Sequence, residues 1–230
     1  MNPAPPLALL AGPFSLPEQG ANPVSVLVLL AGMSLLPFLL VMFTSFTKIS
    51  VVLSLTRSAL GTQQAPPTVV LTGLSAVLSL VVMSPVAEAM LARVQQARLP
   101  AAPGPELLHV LGGAAEPLRA FLLAHGSPEL RAEFASLTRE LRGGAEVPET
   151  DLAVVAPAFV LSELKQAFQI GFLVFLPFLV VDMVVANILL ALGMQSLSPS
   201  QVSLPFKVLL FVAVDGWSLL ARSLVQGYRG

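Results

Sequence analysis

Lys48, Arg57, Glu163, Asp182, Lys207 and Asp215 all sit in or beside strongly apolar stretches, where an ionised side chain is out of place. A lone charge at the centre of a bilayer costs about 2.5–3.5 kcal/mol on insertion scales unless a partner or water relieves it. Asp182, Lys207 and Asp215 are flanked by Phe, Leu and Val within IGFLVFLPFLVVDMVVANILLALGM and LPFKVLLFVAVDGWSLL. None of them is expected to face lipid. Two kinds of chemistry suit such charges: a path for protons or ions, or a buried contact completed during assembly. Lys207 and Asp215 are eight residues apart, about 12 Å along a helix, so they do not pair within it. A transport site gathers several carboxylates near the midplane. Here the acids are single and spread out, which favours the assembly role over a small multipass ion or solute carrier using Asp182 and Asp215.

A second polar pattern runs through Thr44, Thr47, Ser50, Ser54, Arg57 and Ser58. Steps of three and four place these residues on one helix face. Small hydroxyl residues let helices approach closely and hydrogen-bond in lipid, and they equally suit the wet wall of a pore. Both readings stand at this level.

The remaining chemistry is one of exclusions. The chain has no cysteine, hence no disulfide framework, thiolate metal site or Cys nucleophile. His109 and His125 lie 16 residues apart in the polar middle without the spacing of a metal site, and read as solvated surface residues. No HExxH, GxxxxGK[ST] or glycine-rich dinucleotide loop occurs. The expectation is a protein that is not an enzyme and carries neither metal nor cofactor. A net charge of −1 argues against a nucleic-acid surface.

The elements that carry these residues are membrane-type helices. With 55% hydrophobic and 11% charged residues and a mean hydropathy of +0.84, the chain departs from the roughly 25% charge of soluble domains. The predicted fold class is an all-α membrane protein with two long Pro-kinked helical hairpins, four transmembrane-type helices in all. A spanning helix needs about 20 mainly apolar residues. The first candidate runs from about Val24 to Leu60 with a kink at Pro37, and Gly61 is its expected C-cap. The second runs from about Thr68 to Val94. The third runs from about Pro157 to Gly193, interrupted by Pro177, and the fourth from about Leu204 to Tyr228 with Pro205 at its first turn.

Residues 1–23 lack Lys and Arg, hold six prolines and read as a flexible tail rather than a secretory signal. Residues 24–92 form the first hairpin, 93–156 a helical insert and 157–230 the second hairpin. Fourteen of the 25 charged residues fall within 93–151, which marks that segment as non-membrane. Within it, Ser127-Pro128-Glu129 is a helix start. The turns GTQQAPPT and GMQSLSPS give the hairpins the same plan, as a weak internal repeat or as the common form of any membrane hairpin.

The runs TSFTKISVVLSLTRSALGTQQAPP, VMSPV, PAFVLSELKQAFQIGFLVFLPFLVVDMVVANILLALGM and SPSQVSLPFKVLLFVAVDGW closely resemble the FliP/SctR (YscR, HrcR, SpaP) family of type III secretion export-apparatus membrane proteins. The resemblance covers about Leu30–Val86 and Ala156–Tyr228. It implies the core subunit of an export gate, a protein-conducting pore through the bacterial inner membrane, with the insert in the periplasm. It further implies a homo-oligomer, pentameric in the family, built with SctS/FliQ-type and SctT/FliR-type subunits. SctU/FlhB-type and SctV/FlhA-type components, lipid and unfolded secreted proteins in transit complete the implied partners. Ala186-Asn187 before ILLALGM, the unsigned N-terminus and the Tyr228 ending favour the virulence-type injectisome over the bacterial flagellum.

On this reading Lys48, Arg57, Glu163, Asp182, Lys207 and Asp215 are inter-subunit charges, with Glu163 expected to meet Lys207 across a subunit boundary. The family's second turn carries consecutive methionines after Leu-Gly that seal the closed pore. Only Met194 matches here, and the constriction is expected at Met194, Gln195, Ser196 and Leu197. Thr44, Thr47, Ser50 and Ser54 are the pore-lining candidates.

Overall fold

Long apolar runs broken by few turn residues give helices throughout. The computed structural model describes residues 23–62, 65–97, 105–194 and 196–229. Apart from Pro23, the tail expected over 1–23 lies outside them, as does most of the linker before Glu106. The first hairpin contains α1 (Pro23–Met42), α2 (Phe46–Leu60) and α3 (Thr68–Gln96). The insert contributes α4 (Pro105–Ala114), α5 (Glu116–His125) and α6 (Pro128–Leu141). The second hairpin contains α7 (Leu152–Ala191), α8 (Pro199–Ala213) and α9 (Gly216–Gln226). Among the described residues two helices, α3 and α7, are each long and apolar enough to cross a membrane. The bent pairs α1–α2 and α8–α9 raise this to four if each pair is one span.

The bends do not fall at the expected prolines. Pro37 lies inside α1, and α7 runs unbroken through Pro157 and Pro177. Neighbouring groups often re-satisfy the backbone around such prolines in apolar helices. The first bend, 56°, follows Met42 instead. There the Thr44 hydroxyl donates to the Leu40 carbonyl at 2.6 Å and Thr47 donates to Val41 at 2.9 Å. The Phe46 N–H donates to Thr44 Oγ1 at 3.3 Å. Hydroxyls thus take over the backbone groups that the break releases.

The fourth helix also differs from expectation. It starts at Pro199, so Pro205 is internal, and it bends by 59° at Asp215. Asp215 adopts the left-handed region with φ 50°, where Asp is better tolerated than most residues. Gly216 follows because a Cβ there would lie 2.2 Å from the Phe211 ring. That ring meets Trp217 edge-on at 5.1 Å.

The core centres on α2. Ile49, Val52 and Leu53 pack with Leu71 of α3, Ala167 of α7 and Leu224 of α9. Ala59 and Leu60 pack with Phe178, Phe211 and Leu220. Gly171 lets α7 lie close against α2, since a Cβ there would meet Leu55 at 2.3 Å. Among the described residues the insert packs onto the hairpins rather than on itself: Phe121 and Leu122 of α5 meet Val155 and Phe159 of α7. Gly61 caps α2 as expected, at φ 77° with its N–H on the Ser58 carbonyl. Ser127 likewise caps α6 by accepting from the Leu130 N–H at 3.4 Å.

Asp151 joins the insert to α7. Its carboxylate accepts from the Ala153 N–H at 2.9 Å and pairs with Arg142 at 3.0 Å. That backbone donor first, and the Arg142 guanidinium second, hold the Asp151 carboxyl below the usual carboxylate range.

Two outcomes are expected. Gly216→Val should lower the thermal midpoint of the detergent-solubilised protein, with an overpacking cost of about 1–3 kcal/mol; an unchanged midpoint contradicts the close approach of Phe211. Because the folded Asp151 value is depressed, its contribution is present above the unfolded value of about 3.9 and is lost as pH falls through the folded value. Hydrogen exchange at the first turn of α7 should therefore rise below about pH 4, and Asp151→Asn should abolish that dependence.

Candidate functional site

Two ion pairs, one fully buried and one with a partly exposed carboxylate, tie α7 to its neighbours. Lys48 of α2 lies 3.0 Å from Glu163, and their side chains are 4% and 0% exposed. Lys48 also donates to Gln166 at 3.0 Å and sits 3.7 Å above the centroid of the Tyr228 ring. The Tyr228 hydroxyl donates to the other oxygen of Glu163. Every partner of this buried charge is polar or aromatic, the condition under which burial is tolerated.

The second pair joins Lys207 of α8 to Asp182 of α7 at 2.6 Å. Ser203 donates to the other oxygen of Asp182, and Lys207 reaches the Ala59 carbonyl at 3.4 Å. Lys207 therefore places its charge at the C-terminal end of α2, where the helix dipole favours a cation.

Within one chain, then, Glu163 meets Lys48 and Lys207 meets Asp182, in place of the expected Glu163–Lys207 contact. The cause is the length of α7. Glu163 and Asp182 are nineteen residues apart on it, about 28 Å. The tight turn after Ala191 folds α8 back so that Lys207 lies beside Asp182. Arg57 also bonds within the chain, to Thr68 at 2.9 Å and to the Pro66 carbonyl at 3.4 Å, bracing the first turn. Asp215 stands exposed at the α8–α9 bend. Asp182 is engaged by Lys207 and Ser203, so the paired-acid arrangement a carrier would use is not formed from it.

The hydroxyl stripe divides in two. Thr44 and Thr47 serve the α1–α2 bend, while Ser50 and Ser54 are half-buried on α2. Ser45 donates to Ser79 at 3.0 Å and Ser79 donates to Thr44 at 3.3 Å, joining the α1–α2 break to α3. At the second turn Met194 and Leu197 are 43% and 42% exposed, and Ser196 is exposed. Gln195 lies outside the described residues.

Gln166 and Tyr228 are missing from the sequence expectation. The signal for Tyr228 was its being the only tyrosine in an apolar chain, since a buried tyrosine hydroxyl usually finds a partner. His125 departs from the solvated reading: it is half-buried, with its ring 4.4 Å from Phe121 and 5.1 Å from Tyr228. His109 falls on α4, with its side chain outside the described set. Among the described residues no group of three or more His, Asp or Glu is placed to hold a metal.

Fold and site together define an all-helical protein of membrane-spanning type, its hairpins stapled through α7 by charge pairs. The family model described as the FliP family matches residues 29–224, and the chain belongs to that family. It is 43% identical over 217 residues to the hypersensitivity response secretion protein HrcR of Ralstonia nicotianae, covering 92% of this chain and 100% of that protein. It is 48% identical over 208 residues to the flagellar biosynthetic protein FliP of Pectobacterium carotovorum, covering 89% and 78%. It is 42% identical over 220 residues to the Yop proteins translocation protein R of Yersinia pestis, covering 94% and 100%. Secretion-named and flagellum-named relatives thus both match over most of the chain.

The ion pairs predict a specific double-mutant pattern. Lys48→Met or Glu163→Gln alone should destabilise by about 3–5 kcal/mol, because each leaves a buried group without its partner. The double variant should recover much of that loss in detergent unfolding. The swap Lys48→Glu with Glu163→Lys should rescue better than Lys207→Glu with Glu163→Lys; the reverse order contradicts the pairing.

Proposed function

We propose that this chain is a core subunit of a type III secretion export gate in the bacterial inner membrane. Its helices help to form the protein-conducting pore. Its match, over 89% to 94% of its length, to relatives named for secretion, translocation and flagellar biosynthesis carries the reading. The uncovered surface of the long helices supports it. On α7 alone, Phe172, Leu173 and Met183 are 65%, 64% and 58% exposed. Apolar area of this kind is stable only against lipid or other subunits.

In this reading several copies assemble in a ring with SctS/FliQ-type and SctT/FliR-type partners. They meet SctU/FlhB-type and SctV/FlhA-type components, pass unfolded secreted proteins and hold the insert in the periplasm. Met194–Leu197 contributes to the constriction, and Thr44, Thr47, Ser50 and Ser54 line the water-filled wall. The exposed Asp215 and the partly exposed Arg57 and Asp182 lie where neighbouring subunits pack, while the buried Lys48, Glu163 and Lys207 hold the helices that carry that surface. The reaction is transport without catalysis by this chain.

Co-expression with the two small partners should yield a defined ring complex. In that complex, single cysteines at Met194, Ser196 and Leu197 should react with aqueous maleimide more than tenfold faster than one at Leu53, which is 1% exposed. A stable monomer indifferent to the partners contradicts the assembly. Cysteines at the turn that are as inert as Leu53→Cys contradict the gate.

A further inference from the structure

A cavity of about 1180 Å³ lies between α1, α3 and the insert. It exceeds the roughly 300–1,000 Å³ of a drug-sized ligand site. Its walls are apolar along their length, with Leu40, Phe43, Leu80 and Met83 among the lining residues. The hydroxyls that border it, Thr44 and Ser79, are bonded to each other and to the backbone. On α3 the lining extends from Ala76 to Met90, about 21 Å of helix. One leaflet of a bilayer core is about 15 Å deep, half of the roughly 30 Å whole.

The polar lining gathers at the insert end, as Glu116, Arg119 and Asp151. Asp151 is already held by Arg142 and the Ala153 N–H. That leaves one cation and one carboxylate for a ligand. Arg119 donates to the Thr150 carbonyl and lies 3.8 Å from Glu116, too far for a tight bond, while its buried Nε meets no acceptor among the described residues. The Glu116 side chain is 49% exposed. A long apolar slot ending in one guanidinium and one carboxylate is complementary to an amphiphile bearing one anion and one ammonium.

We propose that this cavity binds one zwitterionic phospholipid of the phosphatidylethanolamine type. Its acyl chains lie between α1 and α3, its phosphate meets Arg119 and its ammonium meets Glu116. The site sits where α3 leaves its apolar stretch and the insert begins, the level at which a headgroup belongs. An anionic lipid would meet the same arginine but leave Glu116 facing a negative headgroup.

Native mass spectrometry of the full chain, purified from membranes in whatever assembly it forms, tests this. After delipidation, phosphatidylethanolamine and phosphatidylglycerol are added back separately. One phosphatidylethanolamine per chain should bind, at least several-fold more tightly than phosphatidylglycerol. Arg119→Gln should weaken it about tenfold, the scale of a hydrogen bond to a charged group. Because Arg119 also braces Thr150, Ala76→Trp serves as a second variant: it should block the slot and abolish binding while leaving the unfolding midpoint unchanged. Equal or tighter phosphatidylglycerol binding overturns the proposal, as does lipid retention in Ala76→Trp. A disulfide between Ala76→Cys of one copy and Leu39→Cys of another overturns it too, since a second copy would then fill the slot. The readout is lipid mass rather than export, so its failure leaves the export-gate reading standing.

Discussion

Burying Lys48 beside Glu163 is the constraint on which the rest of this fold depends. Neither group is tolerated alone in an apolar interior. Their partnership fixes how α2 lies on α7, and Gln166 completes the lysine's donors from the next turn. Tyr228 then closes the network from the far end of the chain, under the Lys48 ammonium and against Phe121 and His125 of the insert. One buried charge therefore orients the first hairpin, the second hairpin, the insert and the segment after α9. The Lys207–Asp182 pair repeats the device at the other end of α2.

Between these two staples the packing is close because side chains are small where helices cross. Gly171 admits Leu55, and Gly216 admits the Phe211 ring at the second bend. The outward faces of α1 and α7 remain apolar and uncovered, with Phe38 at 59% and Phe172 at 65% exposure. A chain so firmly joined inside and so apolar outside is built to be surrounded. Lipid and neighbouring subunits supply what a water-soluble protein would supply with charged side chains.

Particular residues show how far the sequence could be read. Gly61 and Ser127 announced their helix ends because capping chemistry is local. Pro37 and Pro177 misled, since a missing N–H need not break a helix when the apolar surroundings have no water to replace its hydrogen bonds. The true bends belong to Thr44 with Thr47 and to Asp215 with Gly216, where side-chain hydroxyls and a left-handed backbone make a break tolerable. Asp182 with Lys207 was open to such a reading, since counting outward from the turn near Gly193 sets the two opposite each other in an antiparallel hairpin, although the expectation set Lys207 against Glu163 instead. Lys48 with Glu163 was not, because 115 residues separate them and no turn sets their register.

By itself the sequence determined the all-helical membrane character, the four apolar stretches, the charged insert and the family. These follow from composition, from runs of apolar residues and from long motifs, all of them properties of neighbours along the chain. Only the tertiary structure decided which charge meets which, where the helices bend and that a slot opens beside the insert. Those depend on how distant helices pack, and a buried charge accepts whichever partner the packing delivers within about 3 Å.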